Sequence, residues 1–137
     1  VELEASLMRA SGRKRRAVAA VELALLLPLL VLLFSISVDF ARVFYYSQTL
    51  ANCARNGAIY GSNLVLAQSP YASLQQAALA DATNLSPQPT VASTTGADSA
   101  GNAYVKVTVS WDFKTITNLP GLNTVTLSRS IQMRVAP

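Results

Sequence analysis

Histidine is absent from the 137 residues, and cysteine occurs once, as Cys53. The first absence removes the commonest general base and the commonest metal ligand. The second excludes an internal disulfide framework. Charge is scarce too, at 13% of residues against 51% apolar, and it is unevenly spread. Residues 1–17 hold five basic side chains (Arg9, Arg13, Lys14, Arg15, Arg16) against Glu2 and Glu4, a local charge of +3. The remaining 120 residues carry six basic and five acidic groups, or +1. The pI near 9.6 is therefore mostly a property of the first segment. It does not describe a basic domain surface, so nucleic acid is discounted as a partner. The first residue is Val1, not methionine, and the true start is expected upstream.

No enzymatic constellation emerges. Serines and threonines are abundant, but no histidine is available to activate one. Asp39, Asp81, Asp98 and Asp112 are widely spaced. The run Gly96-Ala97-Asp98-Ser99-Ala100-Gly101 offers too few oxygen ligands for a calcium loop and reads as a flexible turn. No catalytic residue, metal ligand or cofactor is expected. Lone Cys53 reads as a small helix-face residue; an intermolecular disulfide stays open if it faces the periplasm.

What the chain does have is a long apolar run. From Ala17 to Val38 the one charged residue is Glu22. A hydrocarbon core of ~30 Å needs about 20 helical residues, and the Leu-rich centre from Leu23 to Phe34 predicts a spanning helix. Pro28 lies inside it. Neighbouring helices in lipid re-satisfy the carbonyl that proline frees, so a kink is expected there rather than a break. Arg13-Lys14-Arg15-Arg16 directly precedes the span, and basic flanks stay cytoplasmic. This predicts a single pass with the N-terminus inside and the C-terminal part exported. Phe40, Phe44, Tyr45 and Tyr46 form an aromatic belt at the far interface.

The helix is expected to continue past the membrane, since residues 39–66 contain no proline and their first glycine is Gly57. Phe40, Phe44, Ser47, Ala51, Ala54, Ala58 and Gly61 recur at steps of three and four. Val43, Leu50, Cys53, Gly57, Tyr60 and Leu64 form the adjoining row. Small residues there allow close approach of a helix or a sheet. Ser69-Pro70 predicts an N-cap and first helical position, opening a second helix from Pro70 to Asn84 with Leu74, Ala77, Ala78 and Leu85 inward. The period then becomes two. Val105, Val107, Val109, Trp111 and Phe113 alternate with polar neighbours, the mark of a half-buried strand. A last strand is expected at Thr124–Val135, with Val125, Leu127, Ile131, Met133 and Val135 on a face interrupted by Arg129, for which a bulge or an edge position is expected; a weaker pattern places a strand at Pro89–Thr95. Gly96–Ala103 and Thr115–Asn123 are turn-rich connections. The predicted class is α+β: a long N-terminal helix (transmembrane, then amphipathic), a short second helix and a small antiparallel sheet of about three strands.

Glu22 is the sharpest feature. A carboxylate inside a span costs ~2.5–3.5 kcal/mol at the helix centre and less near an edge. Four places back stands Val18, preceded by small Ala17 and the basic run. A prepilin peptidase cutting between Ala17 and Val18 would leave Glu22 fifth in the mature chain and create an ammonium at Val18. Residues 18 and 22 share a helix face, so the new amine can neutralise this carboxylate or that of a neighbouring subunit. The alternative is an interfacial glutamate that snorkels to the headgroups.

Arg15-Arg16-Ala17-Val18-Ala19-Ala20-Val21-Glu22-Leu23-Ala24, then Leu27-Pro28-Leu29 and Asp39-Phe40-Ala41-Arg42, resembles the N-terminal signature of TadE-like proteins. Cys53-Ala54-Arg55-Asn56-Gly57-Ala58 is similar to the stretch that follows it. Val107–Phe113 and Leu119-Pro120-Gly121, leading into Leu127-Ser128, fit more loosely. One departure is Ala17, where the family usually has glycine. The resemblance implies a pilin-like fold and a pseudopilin (minor pilin) needed for biogenesis of a tight-adherence type IV pilus. It also implies processing by a dedicated prepilin peptidase and partnership with other pilin subunits and the assembly platform, in a homo-oligomer or filament. The expected organisation is a basic cytoplasmic leader at 1–17, a transmembrane helix at 18–38 and an exported α+β domain at 39–137. The expected location is the bacterial inner membrane, with passage into an extracellular pilus after assembly. Two alternatives stand beside this. One is an uncleaved bitopic envelope protein. The other is a secreted binding domain released after Ser35-Ile36-Ser37 by ordinary signal peptidase, although Glu22 and Pro28 fit a simple signal core poorly.

Overall fold

The computed structural model describes residues 2–62, 70–117 and 123–135, with side chains from residue 17 onward. Its elements are α1 (Glu2–Gly61), α2 (Leu74–Leu79), β1 (Thr90–Ala97), β2 (Ala103–Lys114) and β3 (Thr124–Arg134). The order is the α+β arrangement expected from the sequence. The chain falls into two units, Val1–Val38 and Asp39–Pro137.

In the first unit every large apolar residue from Val18 to Ile36 is exposed. A helix that is apolar all round suits lipid rather than one packed face. Among the described residues, the stretch Ala17–Gly61 is the one helix long and apolar enough to cross a membrane. Helical geometry runs through Pro28, whose nitrogen has no hydrogen to offer the Ala24 carbonyl. Ser35 and Ser37 donate their hydroxyls to the carbonyls of Val31 and Leu33, each at 2.9 Å. Both serine hydroxyls in the apolar stretch are thus satisfied within the helix.

In the second unit the three strands form an antiparallel meander, β1-β2-β3. One face of β2 carries the core. Val105, Val107, Val109 and Phe113 are buried and join Leu50, Cys53, Ala54 and Ala58 of α1, with Ala82, Leu85 and Leu127. Each fully buried Val, Leu or Phe contributes about 1.5–3 kcal/mol. The small residues of α1 set the spacing. A Cβ on Gly57 would stand 3.0 Å from Ala78 Cβ and 3.1 Å from Val107 Cγ1. The helix backbone therefore lies directly on the sheet and on α2.

Several expectations need correction. The predicted rows of α1 hold at Ser47, Leu50, Cys53, Ala54 and Ala58, which are buried, but not at Phe40 and Phe44, which are exposed; Asp39 is buried as well. Tyr46 leaves the aromatic belt and packs on Trp111 and Phe113, with ring centroids 4.9 and 5.7 Å away. These two aromatics therefore meet α1 at Tyr46, and Phe113 joins the same buried cluster as Leu50. The second helix is shorter than predicted. Ser73, not Ser69, is its N-cap, accepting the Gln76 amide at 3.1 Å, while Gln76 Oε1 accepts the Ala72 amide at 2.8 Å. Ser73 and Gln76 thus form a near-reciprocal capping pair. Past Leu79 come Asp81, Thr83 and Asn84, poor helix formers that favour turns. The Ser69 cap, Leu64 and the Leu119-Pro120-Gly121 turn lie outside the described residues.

Arg129 sits at no bulge, because β2 and β3 pair without a break from Tyr104–Arg134 to Lys114–Thr124. On edge strand β3 its guanidinium donates to the Ser47 hydroxyl on α1 and, at 3.0 Å, to the Ser128 carbonyl. The Gly96–Ala103 connection is ordered, not a flexible turn. Gly96 and Ala97 belong to β1, and the Asp98 carboxylate accepts the amides of Ala100 and Asn102 at 2.9 and 2.8 Å. Gly101 takes φ +82°, which glycine adopts without strain. Arg134 closes the turn with an ion pair to Asp98 at 3.0 Å.

Candidate functional site

Ala17, Val18 and Glu22 all lie on α1 and are all exposed. Four residues along a helix advance just over one turn, so Val18 and Glu22 stand on the same side. Among the described residues, Glu22 makes no hydrogen bond or ion pair. It is an acidic group set in an apolar surface, open to a partner from outside. Arg13, Lys14, Arg15 and Arg16 are on α1 as well, and their side chains lie outside the described residues.

A second constellation, which sequence reasoning missed, opens the other unit. The Asp39 carboxylate is buried and accepts five donations. The Ile116 amide lies 2.9 and 3.0 Å from its two oxygens. The Thr117 amide and hydroxyl follow at 3.0 and 2.9 Å, and Arg42 Nη1 at 3.1 Å. The Ile116 amide foremost, then the Thr117 and Arg42 donors, hold the carboxyl below its ordinary range against the opposing effect of burial. Hydrogen bonds to the charged form favour it. Arg42 also lies over the Phe113 ring, 4.8 Å from its centroid, a cation–π contact. Asp39 and Arg42 stood out as a sequence motif, but nothing local identified a partner 77 positions away.

Trp111 stands between two open clefts of about 320 and 310 Å³. The first is lined by Pro87, Gln88, Thr90, Ser110, Asp112 and Thr126 beside the indole. The indole N–H donates to the Pro87 carbonyl at 2.7 Å, and Asp112 accepts the Thr126 hydroxyl at 2.7 Å. These groups are engaged in holding the fold. No group of three or more metal-ligating side chains is found among the described residues. Cys53 is buried, and desolvation, aided by the charge of Asp81, pushes its thiol up; thiolate chemistry is disfavoured there.

The features that remain for function are a lipid-suited helix, an unpaired carboxylate near its start and a clamp just beyond its end. Residues 17–58 match the family described as TadE-like protein. The matched segment contains Ala17, Val18, Glu22, Asp39 and Arg42, and it points to a pilus-associated, pilin-like protein. No curated protein and no solved structure gives a match.

Proposed function

From the TadE-like match over residues 17–58 we propose that the chain is a pseudopilin, a minor subunit for assembly of a tight-adherence type IV pilus. Residues 18–38 hold it in the inner membrane, the basic residues Arg13–Arg16 keep the leader cytoplasmic, and residues 39–137 are the exported domain. A prepilin peptidase removes the leader between Ala17 and Val18. The observation that carries this is the exposed, unpaired Glu22 four residues after Val18 on an otherwise apolar helix.

The chemistry follows from the cost of a lone charge in lipid. The Val18 ammonium and the Glu22 carboxylate attract far more strongly in low dielectric than in water, and pairing offsets the burial cost of both. Where the two groups belong to different subunits, pairing sets the axial register between neighbouring helices. The exported domain supplies an independently packed body.

N-terminal sequencing of the membrane-extracted or exported protein tests this. A start at Val18 is expected. A start at Val38 would indicate an ordinary signal peptide and a secreted domain. A start before the basic run would indicate an uncleaved bitopic protein.

A further inference from the structure

Outside α1, Ile116 is the one large apolar residue among those described that is prominently exposed, at 61%. It is not on a random loop. Its amide is fastened to both oxygens of Asp39, and the next residue, Thr117, is fastened to the same carboxylate twice. Asp39 directly follows the apolar stretch that ends at Val38. Chain connectivity alone therefore sets the level of Ile116. One residue of helix rises 1.5 Å, and the Ile116 amide is 2.9 Å from the carboxylate of that next residue. This keeps it within roughly one headgroup layer of the hydrocarbon, since the two interfacial regions together add ~10–15 Å to a ~30 Å core. Phe40, adjacent to Asp39, is 74% exposed. Lys114, two residues before Ile116, is exposed with its ammonium free to meet anionic headgroups.

We propose that Ile116, with Phe40, is seated in the headgroup–acyl boundary of the leaflet on the exported side. Ile116 then gives the exported unit a second contact with phospholipid besides its own helix. Asp39 is the positioning residue: it holds the Ile116 backbone at the level where the helix leaves the lipid, and the donors around it satisfy a charge that would otherwise be costly there. Lys114 meets the phosphates, while the isoleucine side chain enters the apolar edge. This rests on residues 18–38 being a membrane span, and the experiment separates the two claims.

The full chain is reconstituted into vesicles of phosphatidylethanolamine and phosphatidylglycerol. An environment-sensitive fluorophore is attached to a cysteine introduced by Ile116→Cys, Ile36→Cys or Gln132→Cys. Cys53 is fully buried, and unmodified protein serves as the labelling blank. Lipids spin-labelled near the headgroup or deep in the acyl chain act as quenchers. At position 116 the emission should shift to the blue and be quenched by the shallow label. Position 36 should be quenched by the deep label. Position 132, roughly 25 Å along β3 from Thr124, the partner of Lys114, should be quenched by neither. Asp39→Ala should weaken quenching at 116 and leave 36 unchanged. Quenching at 36 without quenching at 116 overturns the proposal and leaves the span intact. No quenching at 36 overturns the span and the proposal with it. A blue-shifted probe at 116 that no lipid quenches assigns the side chain to a protein neighbour and also overturns the proposal.

Discussion

A methyl group placed on Gly61 would stand 2.9 Å from Cγ2 of Val105. At this point the backbone of the last turn of α1 rests on the Val105 side chain of β2. Leu74 Cδ1 closes the same position at 3.1 Å. Gly61→Ala should destabilise the unit Asp39–Pro137 by about 1–3 kcal/mol through overpacking. Helix propensity opposes this by about 1 kcal/mol, and the contact with β-branched Val105 decides the sign. Urea unfolding of the detergent-solubilised chain measures it. A more stable variant would mean that the helix and sheet separate easily here.

The aromatic cluster gives a graded series. Phe113 is fully buried, whereas Trp111 is half-buried and bonded to Pro87. Phe113→Ala should cost about 3–5 kcal/mol and Trp111→Ala less. Trp111→Phe keeps most of the stacking on Tyr46 and loses the indole hydrogen bond, for about 0.5–1.5 kcal/mol. If Trp111→Ala proved costlier than Phe113→Ala, the core would have to be centred elsewhere.

Acid should loosen the Asp39 clamp. Its carboxyl is held below the ordinary value of 3.8, foremost by the Ile116 amide. Folding therefore favours the ionised form. The resulting stability is complete above the unfolded value and is lost as pH falls through the lower folded value. Asp39→Asn should lower the urea midpoint at neutral pH, and the gap to wild type should narrow well below 3.8. Asp98, lowered foremost by the Asn102 amide, behaves alike, so the variant retains some acid sensitivity. A gap that stays constant with pH would show that the Asp39 charge contributes nothing.

Glu22→Gln keeps size and removes charge. Membrane insertion should be unchanged or improved, and processing should continue, since on the proposed reading the peptidase recognises chiefly Ala17 and the basic flank. Assembly should fail, because a neighbour's Val18 amine loses its counter-charge. Pili are counted on cells with normal levels of processed protein. Wild-type piliation under those conditions would reduce Glu22 to a snorkelling residue.

Cys53 should resist alkylation at neutral pH until the chain unfolds, because burial keeps the thiol protonated and out of reach. Mass spectrometry after brief maleimide exposure, with and without denaturant, reads this directly. Fast modification of folded protein would mean that α1 detaches from the sheet.

Local pattern carried much of this architecture. Alternation along Val105–Phe113 announced β2, and the glycines and alanines of α1 announced close packing. The Ser73–Gln76 capping pair was also written in the sequence, but Ser69-Pro70 offered a competing start. Long-range pairings were not legible. Nothing beside Asp39 names Ile116, and nothing beside Arg129 names Ser47, which lies 82 positions away. Tyr46 fitted an interfacial belt as well as a core, because one face of a tyrosine is apolar and its tip is polar. Only the position of Trp111 across the packing layer decides between them.

The meander has a consequence for the order in which the unit Asp39–Pro137 is built. Each strand pairs only with its neighbour in sequence, so both hairpins can form as short closures with small entropic cost. Contacts between helix and sheet close much larger loops and come to set the folding rate. If the chain crosses the membrane from its helix onward, the Cys53–Gly61 surface emerges tens of residues before the strands that cover it. During that interval glycine and alanine are the least adhesive groups the helix can display, and the residues that permit close packing at the end also protect the chain on the way there.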